Sequence, residues 1–152
     1  MTQPDTTEQE DAVHAQTVTP MLDYADGPAA MDWLAEAFGF AERTRLLDDD
    51  GRVMHGEMLA GDGLIMVGST IDGYEGPRRH SEHCPTTRAW LQTPYIVDGL
   101  LVRVPDVDAH FAHAKAAGAR ILSEPEDQPY GRLYRVEDLE GHRWMFLTGQ
   151  GD

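Results

Sequence analysis

The amino-acid sequence predicts an α+β protein built from two copies of a β-α-β-β-β (βαβββ) module. The first observation is a weak internal repeat, because two amphipathic helical segments, "DGPAAMDWLAEAFGF" and "DVDAHFAHAKAAGAR", begin about 80 residues apart. The second observation is that one strand-like segment precedes each helical segment and three follow it. A duplicated unit that cannot bury its sheet face alone is expected to pair with its copy.

Each predicted helix has a start signal and a stop signal. Both segments begin with an aspartate, Asp26 or Asp106, and Pro28 falls in the first turn of the first helix, where its missing N–H costs nothing. Both segments end at a glycine, Gly39 or Gly118, which suits a left-handed helix cap.

The predicted strands are separated by turns rich in aspartate and glycine, such as "DDDG", "GDG" and "EDLEG". From these strands and turns we assign residues 17–69 to the first module and residues 95–148 to the second. A connecting segment, 70–94, joins the modules, and its stretch "TTRAWLQ" predicts a short helix. The polar, acidic residues 1–16 predict a disordered tail. The strands of the first copy are 17–24, 41–47, 52–60 and 63–69, and those of the second are 95–104, 119–124, 132–138 and 142–148.

Composition restricts the class of protein. The formal net charge is −15 and the arginines are scattered, which excludes a basic nucleic-acid-binding stripe and disfavours an anionic membrane. The acidity favours solubility and would draw cationic small molecules toward the chain. The N-terminus has no secretory signal and Cys84 is the single cysteine, so we expect a cytoplasmic protein without an internal disulfide.

Three stretches together resemble the vicinal oxygen chelate superfamily, which includes glyoxalase I, extradiol dioxygenases, and bleomycin- and fosfomycin-resistance proteins. They are "VTPMLDYADGPAAMDWLAEAFGF", "MHGEMLAGDGLIMVG" and the segment from Leu100 to Phe146. The resemblance covers about residues 17–148. It implies the glyoxalase/bleomycin resistance/dihydroxybiphenyl dioxygenase fold, in which two βαβββ modules form a cup-shaped mixed sheet, and it implies a homodimer.

The resemblance also implies where a metal would lie. Metal-dependent members hold the ion with histidine or glutamate from the first and last strand of each copy, and these positions fall on Thr19, on Ile65 or Met66, on Gly99 and on Met145. Such side chains are poor ligands for a hard divalent ion, which prefers carboxylates, carbonyls or imidazoles. We therefore expect no metal and no cofactor, although a divalent metal remains the alternative.

Side-chain alternation then predicts what lines the cup. Residues two apart share a strand face, so Met145 is accompanied by Arg143, and Trp144 faces away under a helix. Asp23 and Arg103 occupy corresponding places in the two copies and would form a buried pair if both point inward, whereas one or both could instead reach solvent. The predicted ligand-binding residues on these strands are Thr19, Met21, Asp23, Met66, Leu101, Arg103 and Met145.

Other candidate residues surround the predicted cup. His55 and Glu57 share one strand face and are either an acid–base pair or a sheet-bonded histidine with a rim carboxylate. The turn at 129–131 would lead Tyr130, Arg132 and Tyr134 to the pocket mouth, where they can stack on a planar ligand, and Trp90 and Tyr95 could do so from a neighbouring subunit. We interpret "HSEHC" (80–84) as an incidental cluster, and His110 and His113 as surface residues.

These features favour a protein that binds a small organic molecule, cationic or planar, in an apolar cup without the family metal, as in sequestration or resistance. Two alternatives remain. One is a metal-dependent lyase, isomerase or dioxygenase, with ligands drawn from His55, Glu57, Asp98 or Asp23. The other is a metal-free acid–base enzyme that uses His55 and Glu57.

Overall fold

The computed structural model describes residues 16–69, 71–96 and 98–149. The predicted order of elements occurs twice in these residues, so the predicted α+β fold of two βαβββ modules is confirmed. The predicted disordered tail lies outside the described residues except for Gln16, whose side chain hydrogen-bonds the backbone N–H and carbonyl of Leu64. No helix in the described part of the chain is both long and apolar enough to span a membrane.

The first module forms a four-stranded sheet in the order β1-β4-β3-β2, with β1 parallel to β4 and the other pairs antiparallel. Strand β1 is shorter than the predicted segment because Pro20 has no N–H to donate to the ladder, although its carbonyl still accepts a hydrogen bond from Met66. The elements are β1 (Met21–Asp23), α1 (Gly27–Phe38), β2 (Ala41–Leu47), β3 (Val53–Ala60) and β4 (Gly63–Gly68).

The second module repeats this topology in the order β5-β8-β7-β6. The connecting segment contains two short helices, α2 (Pro77–His83) and α3 (Pro85–Trp90), of which the second corresponds to the predicted "TTRAWLQ" helix. The remaining elements are β5 (Gly99–Arg103), α4 (Val107–Ala116), β6 (Arg120–Gln128), β7 (Gly131–Glu137) and β8 (Arg143–Gly149).

The helix ends follow the predicted signals. The side chain of Asp26 accepts a hydrogen bond from the Ala29 N–H at 3.0 Å, and that of Asp106 accepts one from the Ala109 N–H at 3.1 Å. Gly39 ends α1 in the left-handed conformation, with φ of 76°. Each carboxylate satisfies an N–H that has no partner within its helix, which fixes where the helix begins.

One buried core lies on the helix-covered sides of both sheets and joins the two modules. Phe38, at the end of α1, packs edge-on against Trp144 and Phe146 of β8 at ring-centroid distances of 5.6 and 4.9 Å. Trp144 is buried under the helices, as the alternation predicts. The sheet faces that carry no helix therefore lie on the outer sides of the core.

His110 is not the surface residue that the sequence predicted. Its Nε2 lies 2.9 Å from the carbonyl oxygen of Phe38 and its Nδ1 lies 2.7 Å from the hydroxyl of Tyr134. His113, on the same helix, reaches the carbonyl of Glu36 at 2.7 Å. Both histidines therefore connect the helices of the two modules, a role that the sequence of α4 alone does not reveal.

Candidate functional site

The first open face is the helix-free side of the sheet β1-β4-β3-β2. Met21, Met66 and Glu57 are cross-strand neighbours on this side, and His55 lies two residues from Glu57 along β3. The opposite side is covered by α1, and there Gly56 lies so close to the helix that an added Cβ would be 2.8 Å from the sulfur of Met31.

The second open face is the corresponding side of the sheet β5-β8-β7-β6. Its side chains form rows across the strands: one row contains Gly99, Arg143, Glu137 and Arg120, and the next contains Leu101, Met145, Arg135 and Ser123. A third row contains Arg103, Leu147, Leu133 and Glu126.

Both open faces have an apolar floor. Leu59 and Leu64 are buried on the first face, and Leu133 and Leu147 are buried on the second, and these four residues are not part of the main core. Met21, by contrast, is 78% exposed. The faces therefore combine buried leucines with exposed apolar side chains on their edge strands β1 and β5, which is typical of a surface that receives a ligand or a partner.

His55 and Glu57 form a hydrogen-bonded pair on the first open face. The His55 Nε2 lies 2.8 Å from Oε1 of Glu57, and Nη1 of Arg43 lies 3.4 Å from Oε2 of the same carboxylate. Glu57 is therefore oriented from both sides, while the His55 side chain is 40% exposed and accessible to a bound molecule. This arrangement can move a proton or bind a polar group.

A buried ion cluster lies at one end of the second open face. Glu137, 1% exposed, accepts hydrogen bonds from Arg78 of α2, and its Oε2 lies 3.0 Å from Nη2 of Arg143. Arg143 also donates to the carbonyls of Thr93 and Leu91 at 2.9 Å. Burial lowers the pKa of Arg143, against the opposing effect of Glu137. The cluster fixes the connecting segment over this end of the sheet.

The positions that the superfamily resemblance assigns to metal ligands do not fit a divalent ion. The structure resolves the choice on β4, because Ile65 is buried on the helix-covered side and Met66 is on the open face. Thr19 precedes β1, and Gly99 and Met145 supply a hydrogen atom and a thioether. Within 16–69, 71–96 and 98–149, no three His, Cys, Asp or Glu side chains are grouped as a metal site.

Several predicted ligand contacts lie elsewhere. Tyr134 is fully buried on the helix-covered side, and Arg132 is on the same side, where its Nε is 3.0 Å from Asp108 of α4. The prediction that they reach the pocket mouth is therefore wrong, because the register of β7 against β8 aligns Arg135, and not Tyr134, with Met145. Tyr130 is exposed in the β6–β7 turn, and Trp90 is exposed at the end of α3.

Asp23 and Arg103 do not form the buried pair that was one of the two sequence-based alternatives. Both residues are exposed, and they lie at the ends of strands in different sheets. Met21, Leu101 and Met145 are on the open faces as the alternation predicts, and Met66 is there beside Met21. Their role in binding a ligand stays a prediction.

Sequence reasoning missed Arg135 and Arg43. The signal for Arg135 was present, since the short "EDLEG" turn fixes the register between β7 and β8, and Met145 had been assigned to the cup. Arg43 gave no such signal, because β2 shifts register between Glu42 and Thr44 and so departs from simple alternation.

Comparison with known sequences identifies relatives of the chain. The family model described as the Glyoxalase/Bleomycin resistance protein/Dioxygenase superfamily matches residues 18–146. The chain is 30% identical over 128 residues to the uncharacterized protein Mb0911c of Mycobacterium bovis, covering 84% of this chain and 79% of that protein. It is also 30% identical over 128 residues to the uncharacterized protein Rv0887c of Mycobacterium tuberculosis, covering 84% of this chain and 71% of that one.

Solved structures show the same fold. TioX from Micromonospora sp. ML1 is 33% identical, with a TM-score of 0.64, and the match covers 90% of this chain and 98% of that chain. TnmS3, an antibiotic binding protein from Streptomyces sp. CB03234, matches with a TM-score of 0.58 over 90% of this chain and 98% of that chain, and at 20% identity it shows the fold alone. With both modules matched by the family model, the chain belongs to the Glyoxalase/Bleomycin resistance protein/Dioxygenase superfamily.

Proposed function

We propose that the protein binds a small organic molecule between its open sheet faces and acts by sequestering that molecule. Small-molecule sites combine an apolar lining with a few convergent polar groups. The buried leucines of the two open faces supply such a lining, and His55, Glu57 and Arg135 supply polar groups. The antibiotic binding protein TnmS3, which has the same fold, supports a binding role for this chain.

The observation that carries the proposal is the chemistry of the four positions that the superfamily resemblance assigns to metal ligands. They present a hydroxyl from Thr19, thioethers from Met66 and Met145, and only a hydrogen atom from Gly99. Hard cations bind carboxylates, carbonyls and imidazoles in preference to these groups, so this set favours contact with an organic ligand. Methionine is suited to that task because its flexible, polarisable side chain adapts to irregular shapes.

The proposal includes a second copy of the chain. The two sheets share no strand pair among the described residues, and β1 and β5 each pair on one side only. Leu101 is a large apolar side chain on the edge strand β5, and it is 47% exposed. A homodimer that places the first open face of one copy beside the second open face of the other would cover these edges and enclose the ligand.

Native mass spectrometry of freshly purified protein tests the proposal. We expect a species of twice 16.9 kDa that carries an organic molecule or accepts one from a mixture of small aromatic compounds. One divalent ion bound per chain would contradict the metal-free reading. A species of 16.9 kDa that binds no organic compound would contradict sequestration.

A second candidate function is metal-free acid–base catalysis, which the 2.8 Å contact between His55 and Glu57 favours. Incubation with the molecule found by mass spectrometry distinguishes the two functions. If the natural protein converts this molecule and the His55→Gln variant does not, catalysis is supported. If the natural protein releases the molecule unchanged, sequestration is supported. His80→Gln, a substitution of an exposed histidine on α2, is the matched control.

A further inference from the structure

The second open face carries a positive charge that is opposite in sign to the chain as a whole. The formal net charge of the chain is −15. In the first two rows of this face, however, Arg120, Arg135 and Arg143 are accompanied by one carboxylate, Glu137, and Arg78 reaches the same carboxylate from α2. Two of these four arginines, Arg78 and Arg143, contact Glu137, and the next carboxylate on the face, Glu126, lies one row further away.

The glutamate is already fully engaged. Arg78 donates to both of its oxygens, and Arg143 is paired with Oε2. Arg143 is 3% exposed, and its Nε is buried without a hydrogen-bond partner among the described residues. A buried donor that lacks an acceptor is costly, so this end of the face has an excess of positive charge and of hydrogen-bond donors.

Arg135 places a positive charge and hydrogen-bond donors at a pocket. Its backbone N–H bonds to Ser123, but its guanidinium makes no hydrogen bond or ion pair within the described residues. Arg135 and Arg143 line a pocket of about 180 Å³, together with Leu101, Met145 and the exposed ring of Tyr95. This volume is close to that of an apolar cavity of roughly 150 Å³ that holds a benzene molecule.

We propose that this pocket binds an aromatic carboxylate, with the carboxylate on the guanidinium of Arg135 and the ring against Met145, Leu101 and Tyr95. The inference rests on the proposed function and specifies the ligand class for the same site. Arginine matches a carboxylate with two parallel hydrogen bonds, and the apolar walls strengthen that interaction by excluding water. Arg143, which also lines the pocket, adds its charge. An anionic ligand at this position differs from the cationic ligand that the net charge favours.

Isothermal titration with three probes of similar shape tests the ligand class. Benzoate carries the proposed anion, benzamide is neutral, and benzamidine is cationic. We expect benzoate to bind at least about tenfold more tightly than either of the others, since one charge-assisted hydrogen bond accounts for such a factor. We also expect its affinity to fall as salt is added. Equal or tighter binding of benzamide or benzamidine would overturn the proposal, as would no detectable benzoate binding at millimolar concentration.

Two variants locate the site. Arg135→Gln is expected to weaken benzoate about tenfold or more and to leave benzamide unchanged. Arg120→Gln removes the same charge from the same face, but Arg120 does not line the pocket, so we expect less than a twofold effect. Equal losses in both variants would show a general field effect and overturn the role of Arg135.

A further probe, 2-naphthoate, distinguishes the source of the carboxylate. Tighter binding of 2-naphthoate than of benzoate indicates that the natural ligand is the acidic end of a larger molecule. Weaker binding indicates that the natural ligand is a single-ring acid.

These binding measurements also distinguish failure of the carboxylate site from failure of the proposed function. If a neutral or cationic molecule co-purifies and is bound with micromolar affinity while benzoate is not, the carboxylate site fails and sequestration stands. If no organic probe binds and none co-purifies, both fail.

Discussion

Asp138 connects the two modules through one buried carboxylate. Its Oδ2 accepts hydrogen bonds from the hydroxyl of Tyr24 at 2.6 Å and from the indole N–H of Trp144 at 3.0 Å. Its Oδ1 accepts from the backbone N–H groups of Glu140, Gly141 and His142. Because Tyr24 follows β1 and Trp144 is on β8, the carboxylate ties the β7–β8 turn to the first module.

We expect Asp138→Ala to lower the free energy of unfolding by about 3 kcal/mol or more, because several buried donors lose their acceptor at once. Urea denaturation followed by tryptophan fluorescence measures the change. Tyr24→Phe removes a single hydrogen bond and is the matched control, with an expected cost of about 1–2 kcal/mol. Equal costs for the two substitutions would contradict the role of Asp138 as a shared acceptor.

His110 is held in one tautomer by its two contacts. The Phe38 carbonyl can only accept, so Nε2 carries the proton and donates to it, and Nδ1 accepts from the hydroxyl of Tyr134. Burial lowers the pKa of His110, and the nearby charge of His113 lowers it further. Protonation would place a second N–H against the Tyr134 hydroxyl in a poorly solvated site.

This lowered pKa predicts a pH dependence. The unfolded chain binds a proton at His110 more readily than the folded chain does, so this contribution to stability is present above the unfolded pKa of about 6.5 and is lost as the pH falls toward the folded pKa. We expect urea midpoints at pH 8 and pH 5.5 to differ less in His110→Gln than in the natural protein. His80→Gln, at an exposed histidine on α2, is the control, and an unchanged difference in His110→Gln would refute the assignment.

Strand β3 and helix α1 are in close contact at Gly56. A Cβ added there would lie 2.8 Å from the Met31 sulfur and 2.9 Å from the Val67 carbonyl oxygen. The sulfur is on a flexible side chain that can move, but the carbonyl belongs to the neighbouring strand β4. The glycine therefore sets the distance between the helix and the sheet that carries His55 and Glu57.

We expect Gly56→Ala to destabilise the protein by about 1–3 kcal/mol through overpacking. Gly63→Ala is the matched control in the same sheet, since its Cβ would meet only the Ala60 carbonyl oxygen at 3.5 Å, and it should change stability by less than about 0.5 kcal/mol. Thermal unfolding by circular dichroism compares the two variants. A Gly56→Ala protein as stable as Gly63→Ala would show that the helix can move away at no cost.

The whole molecule has its core on the inner sides of the two sheets and its candidate binding surface on the outer sides. Such an arrangement leaves Met21, Leu101 and Tyr95 exposed in one chain. A surface of this kind is stabilised when a second copy or a ligand covers it, so folding and association are expected to be linked.

Association therefore predicts a concentration-dependent stability. We expect light scattering to give a mass of twice 16.9 kDa, and the urea midpoint to rise when the protein concentration is raised a hundredfold. A mass of 16.9 kDa at all concentrations, with a constant midpoint, would contradict the proposed dimer.

Local sequence signals were sufficient to predict the two βαβββ modules. Period-two and helical patterns, the capping aspartates Asp26 and Asp106, and the glycine-containing turns predicted the order of elements and most of their bounds. The same alternation placed Met145 on the open face and Trp144 beneath the helices, whereas the structure decided between Ile65 and Met66. These features depend on residues near each other in the chain, so the sequence carries them directly.

Contacts between distant segments decided the rest. The partial burial of His110 and the engagement of Glu137 by Arg78 both depend on segments that are far apart in the chain. A shift of one residue in strand register reverses every side chain on that strand, and β6 shifts its register against β7 twice, between Ile121 and Ser123 and between Ser123 and Glu126. For that physical reason, the positive pocket became visible only when the strands were assembled into a sheet and the connecting segment packed across it.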